Sequence, residues 1–520
     1  MLKRLAIALT TLLTLVGAAV VAGYLLVFAV GTDRAAGAVP SDATAYVTVY
    51  LQPSTGQKMN LATLLGHVPG FADAAGLDQK LHEISGRFLG QAGIDYEADV
   101  RPWIGNQVSL AVRPGARLAD PVDVLLLLSV KDPALATAAL DRIATSRGLV
   151  ATSEPYQGQP VSVAEGAAWA MLEDLVVVAN DRALLEDALD AEFGRRASLA
   201  DTASYAAAMR RLAADHLAAA YLDLLRVADA ADAGDQLVGY STVSAALLVE
   251  PDGIHLRATA PFDDDAAPAE AREAFAVATE PSSLAEWMPT ETQAAVVFFR
   301  LHQSLEAAEA GLAGQPGGQE VVNALSQLRV LAAFGLGINL DEDLLPLFDA
   351  EAGLALHDLT TATPAGQLFL RPLDPEAAAA ALARMREAIV AHGGTATDQD
   401  ADGTAVTTIE IPQVTSLSWA ISDGVIVAGL GFEDVAAALA ARTAGQTLAE
   451  GERYDAAWDL AGDRGGNEAF VDIGAIADAS DDALGTTGDA RDILFSIGAL
   501  GLTAPARADA TEFHVVLTVR

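Results

Sequence analysis

The chain has 520 residues, with 70 acidic against 31 basic side chains and a formal charge of −39. That balance argues against a general nucleic-acid binder, because gripping phosphates needs a basic face. There is no cysteine, which excludes disulfides, thiolate catalysis, zinc–thiolate centres and a lipid-modified N-terminal cysteine.

Lys3 and Arg4 precede residues 5–30, a run without a single charge. As a helix the run is about 39 Å long, against about 30 Å of hydrocarbon in a bilayer. It predicts a transmembrane helix, and residues 1–34 read as a membrane anchor with a short cytoplasmic tip. Lys3 and Arg4 would hold that tip inside. A cleaved signal peptide is the rival reading, with Ala36-Gly37-Ala38 as its small-residue site. Its apolar region is ordinarily only about 7–15 residues, so length favours the uncleaved anchor. No second run of membrane length follows. The expectation is a single-pass protein of the cell membrane with a large extracytoplasmic ectodomain.

The ectodomain reads as a sequence written twice. Val39-Pro40-Ser41-Asp42 reappears as Met288-Pro289-Thr290-Glu291, each before a β-rich run, residues 45–51 and 294–301. Asp99, Pro102 and Leu110-Ala111 match Asp343, Pro346 and Leu354-Ala355. Asp132-Pro133 and Asp374-Pro375 each open an alanine-rich helix. Asp caps the first free N–H groups there, and proline in the first turn sacrifices no hydrogen bond. Trp169-Ala170 matches Trp419-Ala420, Tyr205 matches Tyr454, and Asp223 matches Asp472. The order predicts copy one over residues 39–262, an acidic, alanine-rich linker over 263–287, and copy two over 288–520. Strands with short connections predict antiparallel sheets with helices on one face, an α+β class. Residues 60–91 read as mostly helical. The fold expected is two tandem copies of one antiparallel-sheet-plus-helices unit behind an N-terminal transmembrane helix.

The entry 39–43 with its strand, Asp99-Val100-Arg101-Pro102-Trp103-Ile104-Gly105, and the step Lys131-Asp132-Pro133 together resemble the bacterial DUF3352 family. The resemblance covers the ectodomain from about residue 39 and is consistent with an N-terminal anchor. Copy two departs from it, with Leu347-Phe348-Asp349 where Trp103-Ile104-Gly105 stands. The family has no established activity, so the resemblance implies architecture and no catalytic residue.

The eight histidines are dispersed, the nearest pair being His67 and His82. No H-E-x-x-H, phosphate loop, G-x-S-x-G or S-x-x-K motif occurs. Acidic runs at Asp263-Asp264-Asp265 and Asp481-Asp482 read as solvated loops. The Trp169/Trp419 pair reads as core, and Tyr205, Tyr454, Asp223 and Asp472 as packing and capping positions. No catalytic residue and no resident cofactor is expected. One metal-like motif stands out: Asp398, Asp400 and Asp402 before Gly403, carboxylates at alternate positions with a turn-forming glycine. The bidentate acid that a calcium loop needs falls one residue late, at Glu410, and the flanks read as strands. An Asp-Gly hairpin turn is therefore preferred to a calcium loop.

Three functions fit these features. The favoured one is a non-enzymatic binding or envelope-associated ectodomain whose partner is an extracytoplasmic protein or ligand. The others are an extracytoplasmic hydrolase using carboxylates, and a calcium-stabilised structural spacer. Calcium settles the last. A site specific to the folded state adds about 1.4 kcal/mol at ten times Kd, a few degrees in Tm. The turn reading expects no more Tm shift from millimolar calcium than from magnesium. A calcium-specific shift that Asp400→Ala abolishes would establish the site.

Overall fold

The computed structural model describes residues 33–52, 54–67, 95–114, 122–146, 148–213, 215–231, 239–263, 265, 281–312, 318–336, 338–360, 365–410, 416–480, 489–507 and 509–520. The predicted anchor, residues 5–30, lies outside them, as do residues 68–91 of the predicted helical stretch and most of the 263–287 linker. Among the described residues no helix is long and apolar enough to cross a membrane. The chain divides into two compact units. One contains Ala8–Pro268 with Asp509–Glu512, and the other Ala269–Ala508 with Phe513–Arg520.

The first unit carries β1 (Ala45–Tyr50), α1 (Thr55–Gly66), β2 (Ile104–Arg113), β3 (Asp123–Val130), α2 (Pro133–Ser146), β4 (Thr152–Tyr156), β5 (Gln159–Ala164), β6 (Ala167–Met171), β7 (Leu175–Ala179), α3 (Arg182–Glu192), α4 (Ala203–Met209), β8 (Ala218–Asp223), α5 (Leu224–Ala231), β9 (Thr242–Glu250) and β10 (Gly253–Pro261). Every pairing is antiparallel, in the order β4-β5-β6-β7-β3-β2-β1-β8-β9-β10.

The second unit carries β11 (Ala294–Phe299), α6 (Leu301–Leu312), α7 (Gly318–Leu331), β12 (Glu351–His357), β13 (Ala365–Arg371), α8 (Pro375–Ala391), β14 (Thr395–Ala401), β15 (Thr404–Glu410), β16 (Ser416–Ser422), β17 (Val425–Gly429), α9 (Phe432–Ala444), α10 (Glu452–Ala461), β18 (Glu468–Val471), α11 (Ile473–Ser480), α12 (Asp489–Ser496), β19 (Ile497–Thr503) and β20 (Ala510–Val519). Its strands are also all antiparallel, in the order β14-β15-β16-β17-β13-β12-β11-β18-β19-β20. The mixed class with antiparallel sheet and helices is as the sequence predicts.

The expectation of helices on one face is corrected. In β7, Val176 and Val177 point to opposite faces and both are fully buried. Val177 meets Leu184, Leu185 and Leu189 of α3. Val176 meets Ala136 and Ala139 of α2, with Trp103. The second unit has the same two-sided burial. Val425 and Val427 pack on Val435 and Leu439 of α9, while Ile426 packs on Ala378, Ala381 and Met385 of α8. A strand apolar at every position lacks the alternation of a one-sided sheet, and helices cover both of its faces. Each fully buried Val or Leu contributes about 1.5–3 kcal/mol.

Local chemistry sets the helix starts. Asp132 accepts from the N–H groups of Ala134 and Leu135, and Asp374 from those of Glu376 and Ala377. Hairpin tips use backbone that glycine and short polar residues tolerate. Gln157 and Gly158 have φ of 51° and 88°, as do Asp402 and Gly403.

Gly105, in β2, is a close approach. A Cβ there would lie 2.6 Å from Ser129 Oγ and 3.0 Å from the Ser129 carbonyl carbon. Ser129 Oγ is already fixed by the Gln107 N–H at 2.7 Å and the Gln107 carbonyl at 3.0 Å. Gly105→Ala is expected to cost about 2 kcal/mol, read as a lowered Tm. An unchanged Tm would show that β2 and β3 can move apart there.

Candidate functional site

Two buried polar nodes and one open cavity hold the concentrated chemistry among the described residues. The first node forms at Asp33. Its Oδ1 accepts from Tyr46 OH and Gln107 Nε2, both at 2.6 Å, and from the Ala36 N–H at 3.2 Å. Its Oδ2 accepts from Tyr205 OH at 2.5 Å. Gln107 Nε2 also reaches Thr48 and Ser109 hydroxyls. Arg34, next along, grips Asp174 with two bonds of 3.1 Å and Glu192 with bonds of 2.8 and 2.5 Å. Those two carboxylates raise the guanidinium's pKa further, against the opposing pull of burial. Ala35, Ala36, Ala38 and Val39 follow, essentially without exposure.

The second node lies in the other unit. Ser282 Oγ donates to Glu351 at 2.8 Å, and its N–H to Glu468 at 3.4 Å. Arg464 Nη2 donates to Glu468 and to Tyr454 OH, both at 2.7 Å. The Arg464 guanidinium sits 4.8 Å from the Trp458 ring centre, a cation–π contact. Burial pushes the Glu468 carboxyl above the usual carboxylate range, partly offset by Arg464. Burial pushes Tyr454 up to about 12.

The cavity, of about 200 Å³, opens beside α8 and is lined by Leu347, Ala378 and Ala381 with an acidic rim of Glu342, Asp343, Asp349 and Asp374. Arg384 pairs with Asp343 at 2.9 Å, and His302 Nδ1 lies 2.8 Å from Asp349.

The predicted acidic motif is a hairpin tip. Asp398 in β14 accepts from Arg386 and from Thr407 Oγ1, both at 2.9 Å; the Thr407 bond foremost, then Arg386, lowers its pKa. Asp400 accepts from the Gly403 N–H at 3.1 Å, and Asp402 is the left-handed turn residue. Among the described residues no group of three or more His, Asp or Glu side chains is arranged to hold a metal ion. Trp169 and Trp419 are buried in the sheet. Asp223 caps α5 through the Arg226 N–H, and Asp472 caps α11 through the Ala475 N–H. Asp264, Asp481 and Asp482 lie outside the described residues. Both nodes and the cavity escape motif reading. Asp33 reads in sequence only as the exit of an apolar run, and its partner Tyr205 is 172 residues away.

The sequence matches the family described as "Protein of unknown function (DUF3352)" over residues 5–519. The chain belongs to the DUF3352 family. No curated protein matches it. Among solved structures, crystal form III of TP0453 is 11% identical, covering 48% of this DUF3352 chain and 89% of its own, with a TM-score of 0.24. Crystal form I of TP0453 is 10% identical, covering 45% and 81%, with a TM-score of 0.25. Likeness that distant carries no function across.

The nodes make alkaline pH a probe of this DUF3352 protein. Burial, reinforced for Tyr46 and Tyr205 by the Asp33 charge, holds Tyr46, Tyr205 and Tyr454 protonated well above the ordinary value of about 10. Below pH about 10 both states keep these protons, and the stability is fully present. Above it the unfolded chain releases protons that the folded chain retains, so stability falls as pH rises. Tm should decline from pH about 10 upward, with part of the tyrosinate absorbance appearing only on unfolding. Complete tyrosine titration before unfolding would contradict the buried geometry.

Proposed function

We propose that this DUF3352 chain is a single-pass membrane protein with an extracytoplasmic body, acting as a non-enzymatic binding or envelope-associated ectodomain. Residues 5–30 form its anchor, with the short tip before them in the cytoplasm. The body is two tandem copies of one unit, residues 39–262 and 288–520, joined by 263–287. Three features support the tandem reading: the shared strand order, the aspartate-capped helices at Asp132 and Asp374, and the matching hairpin turns.

The observation that carries the anchored reading is the Asp33 node. Cleavage after Ala38 would remove the carboxylate on which Tyr46, Tyr205 and Gln107 converge. It would also strip three buried residues, Ala35, Ala36 and Ala38, from the core. Each orphaned buried donor costs about 1–3 kcal/mol. The folded unit therefore needs residues 33–38, which agrees with an uncleaved anchor and disfavours the cleaved signal. A binding role rests on the buried carboxylates being engaged in ion pairs and hydrogen bonds that hold the fold.

The intact chain is expected to fractionate with membranes and to resist carbonate extraction, and externally added protease should degrade its body. Recovery of a soluble, normally stable form whose first residue is Val39 would overturn the reading.

A further inference from the structure

The cavity beside α8 has a filled counterpart in the first unit. There, Trp103 is 2% exposed and packs with Ala136 and Ala139 of α2. Its indole N–H donates to the Asp99 carbonyl. Asp99 in turn holds Arg142 through bonds of 3.2 and 3.0 Å. The second unit keeps this frame. Asp343 holds Arg384, whose Nε lies at 3.0 Å, while Leu347, Ala378 and Ala381 line the same space. Trp103 stands four residues after its aspartate, and so does Leu347. Where the first unit has an indole the second has an isobutyl group, and a cavity of about 200 Å³ lies there.

The rim has changed as well. By the same spacing Ala98 corresponds to Glu342 and Gly105 to Asp349. The second unit therefore adds two carboxylates at the edge of the place that lost its aromatic ring. Arg384 is the one guanidinium of the lining, already paired with Asp343. An apolar floor sized for a ring, under an acidic rim, suits a planar aromatic group bearing a positive charge.

We propose that this cavity binds a small aromatic amine, its ring against Leu347, Ala378 and Ala381 and its ammonium among Glu342, Asp349 and Asp374. The inference rests on reading the two units as copies of one another.

The test uses the full chain in nanodiscs of zwitterionic lipid, with empty nanodiscs as the blank. Calorimetry with tryptamine should show saturable binding. Indole-3-propionate, with the same ring and the opposite charge, should bind at least about tenfold more weakly. Leu347→Trp should refill the cavity, abolish tryptamine binding and leave Tm unchanged or raised. Glu342→Gln with Asp349→Asn should weaken tryptamine at least about tenfold while sparing neutral indole. Equal binding of both charge forms, or binding that survives Leu347→Trp, would overturn the proposal. If Leu347→Trp is accommodated at full Tm but tryptamine does not bind, the ligand is wrong and the equivalence of the units stands. If Leu347→Trp sharply lowers Tm, the equivalence fails at this position and the proposal fails with it.

Discussion

The Asp33 carboxylate gathers two tyrosine hydroxyls and a glutamine amide from three separated parts of the first unit. Tyr46 lies in β1, Gln107 in β2 and Tyr205 in α4, so one side chain fixes the relation of the sheet's centre to a helix beneath it. Each of these donors is largely out of water, where an unmet hydrogen bond is expensive. The arrangement is therefore close to all-or-none. The two tyrosine rings also meet edge to face, 5.9 Å apart, which fixes the direction from which the hydroxyls approach. Arg34 extends the constraint to Glu192 at the end of α3 and to Asp174 before β7.

The second unit satisfies the same need with different charges. The carboxylates sit on the strands, Glu351 in β12 and Glu468 in β18, and a serine takes the entry position. A guanidinium stacked on Trp458 completes the balance. The first node thus centres on a negative charge before the sheet, and the second on carboxylates within it. A buried charge is costly unless it is paired, and each of these has a partner. The residue types of the two nodes differ, so sequence matching does not pair them.

What was legible in the sequence is what depends on near neighbours. The Asp-Pro caps of α2 and α8 come from contacts a few residues apart. The Asp402-Gly403 tip does too. The nodes are closed by contacts far apart in the chain, 74 residues for Gln107 and Asp33, 172 for Tyr205 and Asp33, and 186 for Ser282 and Glu468, with no periodicity to announce them. The expectation of helices on one face rests on the short connections around β7 and is overturned by its composition. Its unbroken apolar run, Leu175 to Ala179, signals burial on both faces. The cavity was legible only as a departure, Leu347 for Trp103. A sequence shows such a substitution but not whether its neighbours close in or leave the space open.

The Arg34 clamp and the Asp33 hydrogen bonds belong to consecutive residues. Arg34 reaches Asp174 just before β7 and Glu192 at the end of α3, while Asp33 reaches Tyr46, Gln107 and Tyr205. Displacing these two residues therefore breaks ion pairs and hydrogen bonds together, and it uncovers Ala35, Ala36 and Ala38, which follow them into the first core.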